Sequence, residues 1–441
     1  MSVEASTLTG SIETKARPGI VADARERHAA CSLVGFAITL VQLAALMVVF
    51  RVFQLEDRRF RILAAICFAG FAVHYWLPFR YKEWFWIALS LGGSYFLLDA
   101  LSATMVIVIA VGLYGVIASA LPYRTRIAIV ILIGLALGYG RATLGFGLPN
   151  GFWQVLGAIF MFRLSVYLYD LRHAKSAPTL REYLAYFLVL PNYYFLLFPV
   201  MDYQTLRKTY YQRDIHRIVQ QGIDWMLRGT VQLLLYRAVF HLKPSAAPDE
   251  ITSFGLLAGY MVGTYLLYLR VSGQFHIIVG LLHLFGYDLP ETHRRYLLAR
   301  TLTDFWRRIN IYWKDYMVKM VYFPVYFKLR RSGERRAQVI ATALVFLATW
   351  LLHSYQWFWL RGTWLFTWTD TLFWAILGGL VIVNLLMEQK RRRVPRTGWR
   401  AQAVVALQTA GTFCLIVVLW SFWNAPTVGT WVELVTFWRV G

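Results

Sequence analysis

The sequence predicts an all-α, polytopic membrane bundle, and three observations carry that reading. The chain has 441 residues, of which 58% are hydrophobic and only 15% charged. Apolar stretches recur at 30–50, 337–360, 364–387 and 402–423. Each is long enough to cross a bilayer core, which needs ~20 mostly apolar residues. The charge balance is 45 Lys and Arg against 23 Asp and Glu, or +22. In a soluble chain that excess suggests nucleic acid. In a membrane chain it fits the gathering of Lys and Arg in cytoplasmic loops, so no nucleic-acid partner is expected. Cys31, Cys67 and Cys414 lie within apolar segments, without metal spacing and too few for a disulfide framework.

In chain order, residues 1–28 form a polar tail of mixed charge. It is unlike the basic start of a signal peptide, so the first apolar segment is expected to be retained. Residues 29–441 then read as one membrane-embedded domain. Its apolar segments fall near 30–53, 60–79, 84–99, 101–121, 126–147, 152–170, 226–242, 254–269, 271–287, 337–360, 364–387 and 402–423. About 11–14 membrane helices are expected, with re-entrant or interfacial helices besides. Pro191 and Pro199 interrupt the apolar region 181–201. A proline in a membrane helix frees a carbonyl that neighbours must satisfy, so a broken or re-entrant segment is expected there. Residues 241–252 (HLKPSAAPDEIT) read as a loop. Basic runs at 328–336 (KLRRSGERR) and 389–400 (QKRRRVPRTGWR) bracket two apolar stretches. Those stretches form an out-and-back hairpin turning near Arg361–Gly362, with both runs on the cytoplasmic face.

Residues 305–317 read FWRRINIYWKDYM, a concentration of charge in an apolar chain. A helix turns ~100° per residue. On that projection Asp304, Arg308, Lys314, Asp315 and Lys319 share one side. Phe305, Trp306, Ile309, Tyr312, Trp313, Tyr316 and Met320 share the other. One amphipathic helix over 304–320 is therefore expected. Charge at the bilayer centre is costly, so this helix either lies along the interface or lines a wet cavity. Asn310 falls at the border of its two faces, close to Trp306 and Trp313.

His353 sits in TWLLHSYQW, deep in an apolar stretch. Burial favours neutral imidazole, which can accept a proton. An ionisable residue inside the membrane points to function; the plain alternative is a histidine hydrogen-bonded within the bundle. Arg163, in FMFRLSVYLYD, reads either as a snorkelling arginine or as the lining of a polar tunnel. His276 and His283 are seven apart, a poor spacing for a shared metal, and no metal is expected. There is no phosphate-binding glycine loop and no G-x-S-x-G elbow, so nucleotide hydrolysis and serine hydrolase chemistry lack support.

Five stretches, in order over about 152–360, resemble the membrane-bound O-acyltransferase family. FRLSVYLYDL (162–171) is similar to its aromatic–Arg…Tyr–Asp helix end, and LREYLAYFLVLPNYYFLLFPVMDYQTL (180–206) to its Tyr- and Pro-rich segment. VSGQFHIIVGLLHLFGYDLPETH (271–293) resembles the region that follows. DFWRRINIYWKDY (304–316) resembles its DFWrRWHiSLs.W.rDY signature, and TWLLHSY (349–355) its sGlWHG box. The likeness is to the bacterial branch that includes alginate O-acetylases and the D-alanyl transferase of teichoic acids. Alginate acetylases carry histidine where this chain has Asn310, and Leu352 and Ser354 replace the box's Trp and Gly.

The resemblance implies acyl transfer to a hydroxyl, with an acetyl or similar short acyl group favoured. His353 would be the general base. Asn310 would hold a substrate or hydrogen-bond the developing oxyanion. Trp306, Arg307, Lys314, Tyr316 and Arg163 would line the donor side or tunnel. The donor would be a coenzyme A or acyl-carrier-protein thioester, with no bound cofactor. The acceptor would be an envelope glycan or lipid-linked hydroxyl, and a periplasmic or extracellular partner protein is implied. The implied location is a bacterial inner membrane, in contact with its lipids. His353 lies ~24 Å along a helix starting at Ala337, nearer the outer side of a straight span. The alternative class is a transporter or lipid-handling protein without covalent chemistry; a further one acylates a lipid or protein.

Overall fold

A computed structural model describes residues 24–439 apart from 145–146, 174–178, 196, 198–200, 245–249 and 391–397. Most of the polar tail, Pro199, the centre of the 241–252 loop and most of the second basic run lie outside the described residues.

The N-terminal half is a series of helices started by short polar caps or prolines. Ser32 caps α1 (Leu33–Val52), Asp57 caps α2 (Arg58–Trp76) and Asp99 caps α4 (Ala100–Ala118), each accepting from a backbone N–H of the first turn. Pro78 precedes α3 (Phe79–Leu97), and Pro122 precedes α5 (Tyr123–Tyr139), which runs into a π turn, Gly140–Leu144. The apolar segment 152–170 is divided. A π turn at Ile159–Arg163 separates α6 (Asn150–Ala158) from α7 (Leu164–His173). The expected break in 181–201 follows α8 (Leu180–Phe187), where Pro191 sits in a short 3₁₀ turn, Leu190–Tyr193.

After α9 (Tyr203–Thr209) comes α10 (Ile215–Leu242). Next, α11 (Phe254–Leu266) and α12 (Leu269–His283) run on as one 30-residue apolar stretch. Two short helices, α13 (Leu302–Arg308) and α14 (Ile311–Met317), precede α15 (Phe323–Leu329). The expected hairpin is formed by α16 (Glu334–Arg361) and α17 (Trp368–Lys390). Gly362, at φ 80°, takes the left-handed conformation that ends α16. Finally, α18 (Trp399–Trp423) packs on α11 and α17, and α19 (Val428–Val435) follows it.

Among the described residues, seven helices are long and apolar enough to cross a membrane. They leave side chains such as Val41, Leu101, Leu132 and Leu407 exposed, as a lipid-facing surface requires. The protein is a multi-pass, all-α membrane bundle. The seven are fewer than the 11–14 expected. Charge at the starts of α2 (Arg58, Arg59, Arg61) and α3 (Arg80, Lys82, Glu83) keeps those helices out of the set. The divided α6–α7 and the fused α11–α12 account for others.

The tightest helix pair is α10 on α12. A Cβ on Gly229 would stand 2.5 Å from the Gly273 carbonyl oxygen, and one on Gly280 would stand 2.5 Å from that of Gly222. Small residues let the two backbones touch, the packing mode that serves where hydrophobicity cannot drive association. Gly280→Leu should therefore lower the thermal unfolding midpoint in detergent. Gly229→Ala should do so too, although alanine is the better helix former by ~1 kcal/mol. Gly115→Ala, with nothing within 4 Å of its new Cβ, should hold or raise the midpoint. Equal responses at the three positions would contradict this packing.

Candidate active site

The charged stretch does not form the single helix expected over 304–320. It breaks after Arg308. Asn310 adopts φ 42°, ψ 65°, and its side-chain oxygen accepts from Trp313 N at 3.3 Å, capping α14. Asparagine is among the few residues other than glycine that tolerate this left-handed conformation, and it is a preferred N-cap. A neighbouring loop holds the break. Ile311 N donates to Thr292 O at 2.8 Å and Arg294 N to Arg308 O at 2.9 Å. The Tyr312 hydroxyl donates to Pro290 O at 2.8 Å. Backbone groups freed by ending one helix and starting another are thus satisfied.

The break puts α14 between two cavities. The first, of about 380 Å³, is lined by Trp306, Ile309, Asn310, Trp313 and Lys314 from this stretch. Thr349, His353 and Gln356, on one face of α16, form a second wall. The remaining lining includes Thr264 and Tyr268, Phe373 and Trp374 from α17, and Trp420, Trp423 and Asn424 at the end of α18. The cavity therefore extends past the 152–360 core anticipated from the sequence. Trp313 Nε1 donates to Thr349 Oγ1 at 3.3 Å, tying α14 to α16.

His353 keeps 24% of its side chain exposed, and its Nδ1 lies 3.5 Å from Asp370 Oδ1. Its ring centroid is 5.2 Å from that of Trp423 and 5.9 Å from that of Trp374. Asp370, in the first turn of α17, is 2% exposed and accepts from Trp423 Nε1 at 2.7 Å. Asp370 was missed because 364–387 read only as an apolar span. The signal was present: a lone carboxylate in hydrocarbon is as conspicuous as the histidine.

The second cavity, of about 400 Å³, is lined by Tyr312, Asp315, Tyr316, Lys319, Asp202 and Lys208 among others. Lys319 donates to Asp170 at 2.6 Å and to Asp202 at 2.5 Å. Burial alone would lower its pKa, but the two carboxylates outweigh this and raise it.

The anticipated site residues divide accordingly. His353, Asn310, Trp306 and Lys314 share the first cavity. Tyr316 faces the second, with its hydroxyl 3.1 Å from Ser165 Oγ. The other two lie elsewhere. Arg307, on α13 ahead of the break, is exposed and lines neither cavity. Arg163 is buried away from both, donating from Nη1 to Phe187 O at 2.5 Å, where α8 ends without an intrahelical partner. His276 and His283 are buried on α12 and engage Gln232 and the Val279 carbonyl, each at 2.7 Å. Among the described residues no three His, Cys, Asp or Glu side chains converge as metal ligands.

No protein-family model matches the chain, and no curated protein matches it. The turn itself is testable. Asn310→Ala removes the cap and leaves at positive φ a residue without the polar side chain that makes the left-handed conformation tolerable, and should cost about 1–2 kcal/mol of stability. Asn310→Gly keeps the backbone conformation at a loss of only a few tenths. Denaturation of both variants in detergent checks this; equal losses would mean the left-handed turn is not what asparagine supplies.

Proposed function

We propose that the chain is a membrane-bound O-acyltransferase that moves a short acyl group from a thioester donor to a hydroxyl on an envelope glycan or lipid-linked acceptor. One observation carries the reading. His353 and Asn310, forty-three positions apart in the sequence, line one cavity. They are the two residues that the family resemblance singles out. The cavity volume of about 380 Å³ also suits a small-molecule site, for which ~300–1,000 Å³ is typical.

The chemistry follows from the groups present. An alcohol is a poor nucleophile until a base takes its proton. With Nδ1 turned toward Asp370, Nε2 of His353 is the nitrogen left for the acceptor hydroxyl. As Nε2 removes the proton, the oxygen attacks the thioester carbonyl carbon and negative charge builds on the carbonyl oxygen. Asn310 Oδ1 is engaged by Trp313 N, which leaves the Nδ2 hydrogens to meet that oxyanion. The tetrahedral intermediate then expels the thiolate, which takes the proton back from the imidazolium. One hydroxyl and one thioester become one ester and one thiol, and the exchange is downhill without nucleotide hydrolysis. The donor would be coenzyme A or a carrier protein, and the membrane a bacterial inner membrane.

The test compares envelope glycans and lipids, by mass spectrometry, from cells with and without the protein. Ester-linked acyl groups that depend on the protein are expected. His353→Ala, at matched expression, should reduce them at least ~100-fold. Asn310→Gly, which spares the backbone turn, should reduce them by ~10- to 100-fold. Full acylation with His353→Ala removes it as the base. If no acyl group depends on the protein, while it binds lipid in reconstituted vesicles, the non-covalent class takes its place.

A further inference from the structure

Asp370 makes and breaks no bond in the chemistry just described, and its surroundings are unusual for a carboxylate. It is almost completely buried in an apolar bundle, where an unpaired charge costs several kcal/mol. Its place in the helix does not explain it. Thr367 Oγ1 accepts from Asp370 N at 3.2 Å and begins α17, but the Asp370 carboxylate does not return the bond to Thr367. It turns across to α18 and α16 instead. There Oδ1 takes the indole N–H of Trp423 at 2.7 Å and faces His353 Nδ1 at 3.5 Å. Oδ2 is buried and has no hydrogen-bond partner. An under-satisfied buried carboxylate calls for an explanation beyond packing. His353, which lines the first cavity, is the group it faces there.

We propose that Asp370 is the positioning residue of the site. It holds the His353 proton on Nδ1, so that Nε2 presents its lone pair to the cavity, and it balances the imidazolium formed during transfer. Trp423 fixes the carboxylate by its indole N–H and flanks the imidazole ring. The 3.5 Å separation is a few tenths of an ångström beyond an ordinary hydrogen bond, and catalytic pairs without substrate are often that long. Replacing the carboxylate by an amide would let the amide donate to Nδ1, which moves the ring proton to Nε2 and blocks the base. The assignment rests on His353 being that base, but its test need not.

Diethyl pyrocarbonate acylates an unprotonated imidazole nitrogen, and peptide mass spectrometry resolves its rate at each histidine of the full-length protein in vesicles. His241, exposed on α10, is the internal control for an intact fold. Asp370→Asn should slow modification of His353 about tenfold or more, a tautomer error being able to cost far more in a related triad, while His241 is unchanged. Asp370→Glu, which keeps the carboxylate, should recover part of that rate. A packing role predicts the opposite order, because asparagine is the closer match in shape. Should the Asn variant disturb His241, Trp423→Phe, which keeps the ring and removes the N–H, should still slow His353 severalfold. Equal His353 rates in wild type, Asp370→Asn and Trp423→Phe overturn the assignment. Where acyl transfer is measurable, Asp370→Asn should lower kcat with KM within about twofold. If acyl transfer is absent but His353 reactivity follows the carboxylate, the acyltransferase reading fails and the Asp370 assignment stands.

Discussion

The left-handed turn at Asn310 organises the centre of the molecule. Without it, residues 304–320 would continue as one amphipathic rod, with all its charge on one side. With it, the chain stops, turns and restarts, and a seven-residue helix stands between two cavities. Such a turn is stable only if the backbone groups it frees find partners, because unpaired amides in an apolar bundle cost several kcal/mol each. Loop 290–294 supplies those partners through main-chain hydrogen bonds to residues 308 and 311.

That loop is itself anchored to the cavity wall. Its His293 meets the Tyr268 hydroxyl at 3.0 Å and the Thr292 hydroxyl at 3.1 Å. Tyr296 meets Ser272 at 3.2 Å. Tyr268 lines the first cavity and belongs to the α11–α12 stretch, which the glycine contacts hold against α10. Backbone contact, loop anchoring and the Asn310 turn therefore form one mechanical series. On the other side of α14, Lys319 joins α7 to the cap of α9 through Asp170 and Asp202. Its charge is compensated on both sides, as burial of an ammonium group requires.

Polar groups here sort by whether they meet an open volume. Arg163, His276 and Lys319 have close partners on other elements, and His283 bonds one turn back within α12. His353 and Asp370 differ: their mutual approach is long, and part of the imidazole ring is open to the first cavity. A long approach beside an open volume is what sets this pair apart from the structural pairings. The arginine in the 152–170 segment, equally conspicuous in the sequence, is buried against the end of α8 instead.

Much of this was legible in the residues. Apolar runs of spanning length, the broken stretch at Pro191, the turn at Gly362 and the isolation of His353 all follow from local composition and backbone chemistry. Those properties act over a few residues, so the sequence alone determined an all-α membrane bundle, the final hairpin, and His353 and Asn310 as the residues to watch. The break at Asn310 was not legible, because helical projection assumes an unbroken helix and the break is stabilised by a loop some fifteen residues earlier. The service of Asp370 to His353 was not legible either, since a carboxylate finds its partner through the packing of α16, α17 and α18. Tertiary structure decided which polar groups face a shared cavity and which are paired away. Pairing depends on distances between elements remote in the chain, and no local pattern encodes those.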